Sequence, residues 1–230
     1  MRDKVVVVTG AFGALGRTVA SEAAWSGAKV AALDFAAAPP AGLAEALGTG
    51  ALLLGGVDLA KPDEAAKAVA AVMDQFGRID ALINIAGGFV WQTMEGGDTA
   101  TWERLHAMNV VTTLNACRAA LPHLLASQGR IVNIGANAAL KADAGMGAYA
   151  ASKSGVHRLT EALAAEFKGK VAVNAVLPSI IDTPANRADM PDADASKWVT
   201  PQDLTAVILF LASDAARAVT GALVPVTGGV

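Results

Sequence analysis

The stretch Val5-Val6-Val7-Val8-Thr9-Gly10-Ala11-Phe12-Gly13-Ala14-Leu15-Gly16 decides the fold. Its first five residues form a β-branched run, the pattern of a strand buried on both faces. A glycine-rich turn follows, and Ala14 to Ser26 then reads as a helix that stops at Gly27. A strand feeding through such a turn into a helix presents free backbone N–H groups and the positive end of a helix dipole to phosphates. Gly10 permits the tight turn, Gly13 lets backbone approach a pyrophosphate, and Gly16 allows close packing of helix on strand. Phe12, Ala14 and Leu15 complete the expected cradle.

Outward from this turn the chain alternates apolar runs with helical patterns. Strands are expected at Lys29–Asp34, Ala51–Val57, Ala81–Ile85, Arg130–Ile134, Val171–Leu177 and Ala222–Val226. Helices are expected at Leu43–Leu47, Pro62–Phe76, Thr101–Leu125, Gly147–Phe167 and Pro201–Ser213. Right-handed βαβ crossovers turn that alternation into a doubly wound α/β domain of Rossmann type. The predicted sheet is parallel and seven-stranded, in the order 3-2-1-4-5-6-7. The 230 residues suffice for one such domain and would be cramped as two, so residues 1–230 are read as one unit.

Composition narrows the function. Hydrophobic residues make up 53% and charged residues 17%, as in a well-buried globular chain. A net charge of −3 offers no basic footprint for nucleic acid. The lone Cys117 excludes an internal disulfide, and His106, His123 and His157 lack metal-ligand spacing, so no metal is expected. No signal peptide is apparent and no apolar run reaches the ~20 residues of a membrane helix. A cytoplasmic enzyme acting on a small molecule, without a membrane partner, is the expectation.

Asp34 sharpens the cofactor. It ends the second strand, where a carboxylate can accept both hydroxyls of an adenine ribose and would repel a 2′-phosphate. No arginine or lysine follows within Phe35 to Ala38, so NAD(H) is expected over NADP(H). Asp58-Leu59, after strand three, is placed to hold the adenine edge. Asn84-Ile85-Ala86-Gly87-Gly88, after strand four, is placed where backbone must pass close to the cofactor.

These elements, together with Asn109, Tyr149-Ala150-Ala151-Ser152-Lys153 and the strand end Asn174 to Pro178, resemble the classical short-chain dehydrogenase/reductase family over essentially the whole chain. Tyr149 and Lys153 stand four apart, so one helix face carries both. A neighbouring ammonium and an oxidised nicotinamide would lower the phenol from its free value near ~10. Tyr149 could then exchange a proton with the substrate. The resemblance implies that Lys153 also holds the nicotinamide ribose and that Asn109 sustains a water-linked proton path. It further implies cofactor contacts at Asn84, Ala86, Gly87 and Pro178.

The chain departs from the family pattern in places. The family's serine, thirteen residues before the tyrosine, is Ala136 here, with Asn137 beside it. Ala14 replaces the usual middle glycine, and Ser179 follows Pro178. Together with Gly87-Gly88-Phe89 and the late loop from Leu177 through Asp182-Thr183-Pro184 to Trp198, these departures resemble the quinonoid dihydropteridine reductase branch. That branch implies a contact of Thr183 with the nicotinamide carboxamide and a substrate loop at about 179–199. Phe89, Trp91 and Trp198 could flank a flat ring or merely pack the lid. Asn109 follows the ordinary family pattern instead.

Three readings remain. The first is reduction of a planar quinonoid substrate such as quinonoid dihydropterin, for which a hydroxyl at residue 136 is dispensable. The second is a general carbonyl/alcohol oxidoreductase resembling ketoacyl reductases. The third is a non-catalytic NAD-binding sensor. The resemblance implies a homodimer or homotetramer built through the long helices before strands five and six, which are alanine-rich here and so permit close helix contact.

Overall fold

Alternate valines of the first strand face opposite ways, and this divides the protein into layers. A computed structural model describes residues 1–230. In β1 (Val5–Thr9), Val6 and Val8 pack into one core and Val5 and Val7 into another. Helices α1 (Ala14–Trp25) and α8 (Pro201–Leu211) cover the first face, and α3 (Pro62–Phe76) and α5 (Thr112–Ser127) cover the second. The remaining strands are β2 (Lys29–Leu33), β3 (Leu52–Leu54), β4 (Ala81–Asn84), β5 (Arg130–Ile134), β6 (Ala172–Pro178) and β7 (Leu223–Val226). All pairings are parallel, and the order is β3-β2-β1-β4-β5-β6-β7, as the alternation implied. Helices α2 (Leu43–Leu47), α4 (Thr99–His106), α6 (Gly147–Glu166) and α7 (Pro184–Asp189) complete the chain.

Local chemistry sets the ends of the helices. Pro62 opens α3 with Asp63 and Glu64 in its first turn, and left-handed Gly77 closes it. Asp98 caps α4 by accepting the Thr101 N–H at 2.7 Å, and Thr200 caps α8 by accepting the Asp203 N–H at 3.1 Å.

Two elements differ from the sequence reading. The strand expected over Ala51–Val57 is only Leu52–Leu54, because β3 pairs with β2 alone and Gly55-Gly56 then turns the chain. The single helix expected at Thr101–Leu125 begins at Thr99 and is broken by a π turn at Ala107–Val111. Such a wide turn displaces a side chain from the regular helical stripe. The residue it carries inward is Asn109, which is 1% exposed. No helix is long and apolar enough to cross a membrane.

Candidate active site

Strand order reverses direction between β1 and β4, and the crevice outside the carboxyl ends of these strands is where doubly wound sheets bind ligands. A cavity of about 600 Å³ opens there. Gly10, Gly13, Ala14 and Leu15 line it from the first turn, Asp34 from the end of β2, and Asp58 and Leu59 from beyond β3. Ala86 and Gly87 line it after β4, and Arg104 is its one basic residue.

The turn is built around missing side chains. Gly10 has φ +64°, and a Cβ on it would lie 2.7 Å from the Ala86 nitrogen. A Cβ on Gly16 would lie 2.0 Å from the Gly10 carbonyl oxygen. Gly13 differs, since its nearest neighbour would be the Gly10 oxygen at 3.5 Å. It is the N-cap of α1 without any side-chain cap, which leaves the first N–H groups of the helix facing the cavity. Thr9, which sequence reasoning left without a role, ties the two strands: its Oγ1 accepts from Ile85 N at 3.1 Å and Ala86 N at 3.2 Å. Its place directly before the glycine turn is the one signal that could have marked it.

Asp34 accepts the Phe12 N–H at 2.8 Å and the Ala36 N–H at 2.9 Å, one on each carboxylate oxygen. Phe12 therefore serves the turn through its backbone and does not line the cavity. Phe35, next in the chain, lines the cavity with 74% of its surface exposed. An uncapped helix start, an open glycine and a carboxylate at the far rim fit a dinucleotide laid across the strand ends.

At the other end of the crevice, buried side chains converge. A Cβ on Gly87 would meet Asn109 Oδ1 at 2.5 Å and Lys153 Nζ at 3.5 Å. Asn109 Oδ1 accepts the Gly88 N–H at 2.9 Å, while its amide donates to Gly88 O at 3.1 Å and Ser152 Oγ at 2.9 Å. Ser152 in turn donates to the Tyr149 carbonyl at 2.7 Å. Lys153 is 6% exposed, and its Nζ donates to the Ile134 carbonyl at 2.8 Å. Burial alone pushes this amine down to about 8.

Tyr149 is half-buried on the same face of α6. Its phenol is pushed up to about 12 by burial, opposite to the lowering expected from Lys153. The reason is geometric: the ammonium is directed at Ile134, and desolvation of the phenolate goes uncompensated. Phe89 stands edge-on to the phenol ring, with centroids 4.9 Å apart at 84°. Trp91 donates from Nε1 to Ala144 O at 3.1 Å and packs where a Gly145 side chain would be. Trp198, read as a possible flank for a ring, is buried at 6% exposure and packs inside the protein.

Asn109, Tyr149 and Lys153 do not themselves line the cavity, which Asn109 and Lys153 approach from behind Gly87, and the remaining expected site residues lie off it too. Asn84 points into the sheet, donating to Asn133 Oδ1 at 2.9 Å and Cys117 Sγ at 3.3 Å. Pro178 is buried at the end of β6, paired with Val226. Thr183 caps α7 by accepting the Asn186 N–H at 3.2 Å.

Residues 4–194 match the short chain dehydrogenase family. The chain belongs to that family. It is 36% identical to D-threitol dehydrogenase of Mycolicibacterium smegmatis, covering 98% of this chain and 92% of that protein. It is 32% identical to 2-(S)-hydroxypropyl-CoM dehydrogenase 3 of Xanthobacter autotrophicus, covering 100% and 97%. It is also 32% identical to meso-2,3-butanediol dehydrogenase of Serratia marcescens, covering 99% and 94%. Among solved structures, ligand-free aldohexose dehydrogenase of Thermoplasma acidophilum superposes with a TM-score of 0.86 at 27% identity, covering 99% of this chain and 94% of that one. The protein is accordingly a short-chain dehydrogenase/reductase enzyme, an alcohol/carbonyl oxidoreductase of a family that binds nicotinamide cofactors.

Proposed function

We propose that this short-chain dehydrogenase/reductase is NAD(H)-dependent and interconverts a small secondary alcohol or diol with its carbonyl form. The observation that carries the reading is the convergence of Asn109 and Lys153 on Gly87, with Tyr149 one turn away on the same helix. The relatives named above, which act on a polyol, a diol and a hydroxypropyl thioether by their names, support the substrate class.

In this reading Gly10, Gly13, Ala14 and Leu15 hold the pyrophosphate, Asp34 the adenine ribose, and Asp58 with Leu59 the adenine edge. Ala86 and Gly87 pass behind the nicotinamide half. A nicotinamide held there would supply hydride-transfer chemistry. Tyr149 exchanges the proton at the substrate oxygen: the phenol donates to a carbonyl, and in alcohol oxidation the phenolate, favoured once the Lys153 charge lies beside it, accepts. Lys153, freed from Ile134, brings its charge to the ribose hydroxyls and the phenol. Asn109 holds the Gly88 backbone and Ser152 in register with that lysine. Asn84, Pro178 and Thr183 act on the cofactor through backbone or loop movement. The loop at about 179–199 covers the substrate. A cytoplasmic homodimer or homotetramer completes the proposal.

A second reading has its own observation. Ala136 offers no hydroxyl to a ketone, while an exposed Phe89 stands edge-on to Tyr149 and an exposed Trp91 lies over Ala144 and Gly145. A planar quinonoid ring such as quinonoid dihydropterin needs stacking more than a hydroxyl donor. The deciding assay offers purified protein D-threitol and meso-2,3-butanediol with NAD⁺ or NADP⁺, and quinonoid dihydropterin with NADH. Turnover of an alcohol with NAD⁺ supports the first reading. Turnover confined to the pterin moves the protein to the second.

A further inference from the structure

The turn after β5 is gripped by one face of α6. Lys153 Nζ donates to the Ile134 carbonyl at 2.8 Å. One helical turn further on, His157 Nε2 accepts the Ala136 N–H at 3.2 Å. Ser154 adds a tie from its hydroxyl to Ala139 O at 3.1 Å. Between the two main ties Gly135 donates to Val176 O at 2.9 Å, and a Cβ on it would lie 2.5 Å from His157 Nε2. The imidazole thus fills the volume that any side chain at residue 135 would need. His157 is 1% exposed. Burial first, then Arg158 and Lys153, push it down to about 4, so its ring is neutral near pH 7 and has a lone pair to offer.

Resting on the active-site reading above, we propose that His157 is a positioning residue that, as the Nδ1–H tautomer, holds the Gly135-Ala136 turn against α6 beside the catalytic face. The side chain at residue 136 is a methyl group, so this turn acts on a substrate only through its backbone and the placing of Asn137. When Lys153 leaves Ile134 to hold a ligand, His157 and Ser154 are the ties that remain between α6 and the turn, and His157 is the one on Gly135-Ala136. Gly135 and His157 form a matched pair, because the glycine makes room for the ring and the ring replaces the glycine's missing contacts.

Long-range ¹H–¹⁵N correlation spectra of the unmutated protein at pH 7 test the tautomer, with the His157 signals assigned by their loss in His157→Gln. An unprotonated Nε2 and a protonated Nδ1 are expected; an Nε2–H tautomer or an imidazolium overturns the proposal. In kinetics on the fastest alcohol of the panel above, His157→Leu lowers kcat by about tenfold or more, with the NADH Kd kept within about twofold. His157→Gln, whose amide oxygen can replace Nε2 as acceptor, restores kcat to within about threefold of the unmutated protein. Equal losses in the two variants, or a loss confined to NADH binding, overturn the proposal. A Tyr149→Phe protein with full turnover would sink the active-site reading while leaving the tautomer result standing.

Discussion

The two ends of the crevice are built by opposite means. The end at β1 and α1 is made of backbone and empty space, with glycines at Gly10, Gly13 and Gly16 and an uncapped helix start. The end at α6 is made of buried polar side chains, Asn109, Lys153 and His157, each packed with a backbone partner. In the proposed reading the first recognises its ligand by shape and backbone N–H groups. The second holds groups whose ionisation the fold has displaced. Substitutions should therefore act through geometry at one end and through protons at the other.

The largest effect expected is at the proton end. Tyr149→Phe removes the hydroxyl and should lower kcat by roughly 10²–10⁴-fold while NADH titration and melting stay close to those of the parent. Equal turnover in both proteins breaks the contrast at its chemical side.

Next is a pair at the glycine end. Gly16→Ala places a Cβ 2.0 Å from the Gly10 carbonyl oxygen, so backbone must move and about 1–3 kcal/mol or more of stability is lost. Gly13→Ala meets that oxygen at 3.5 Å, an ordinary contact, so the variant folds and loses coenzyme affinity instead. Denaturant melts and NADH fluorescence titrations separate the two. Similar melts for both variants would show that close helix packing does not set the need for Gly16.

Lys153→Met crosses from function into stability. Its amine sits at about 8 in the folded chain against an ordinary 10.5. Between these values the unfolded chain binds more protons than the folded one, so this residue makes stability rise with pH across that window. Below it the buried charge is a constant burden. Lys153→Met should remove the pH-dependent rise and stabilise the protein at pH 7 by roughly 1–3 kcal/mol, while activity collapses. Melting curves from pH 7 to 10.5 check both statements; an unchanged slope would mean that Lys153 is not the group responsible.

The smallest effect belongs to Asp34. Asp34→Ser removes the charge proposed to disfavour a 2′-phosphate and the two carboxylate acceptors of the Phe12 and Ala36 N–H groups. The ratio of kcat/KM for NAD⁺ over NADP⁺ should fall by about tenfold, roughly 1.4 kcal/mol. A constant ratio would remove Asp34 from coenzyme choice.

The same contrast explains what could be read in advance. Glycines and a strand-end carboxylate leave a mark at fixed spacing, so the turn and Asp34 were legible, and so was the alternation that gives the sheet order. Tyr149 and Lys153 were legible because a spacing of four puts both on one helix face. The break at Ala107–Val111 was not, because Ala-Met-Asn-Val-Val carries no helix-breaking residue. Its cause lies in Gly88, Ser152 and other partners far along the chain. His157 looked like one of three scattered histidines for the same reason, since its partner is a backbone N–H in the turn after β5, 21 residues away in sequence. Asn84 was expected where backbone passes close to the cofactor; the sequence did not tell where its amide turns, to Asn133 and Cys117, partners supplied by β5 and α5.

By itself, then, the sequence determined the strand–helix alternation, the glycine turn and the Tyr149–Lys153 face, because each depends on residues within a few positions of one another. Only the tertiary structure decided where Lys153 points, which way the Tyr149 phenol shifts and what His157 holds. Those depend on desolvation and on partners brought together by parallel crossovers, and neither is written into any local stretch of the chain.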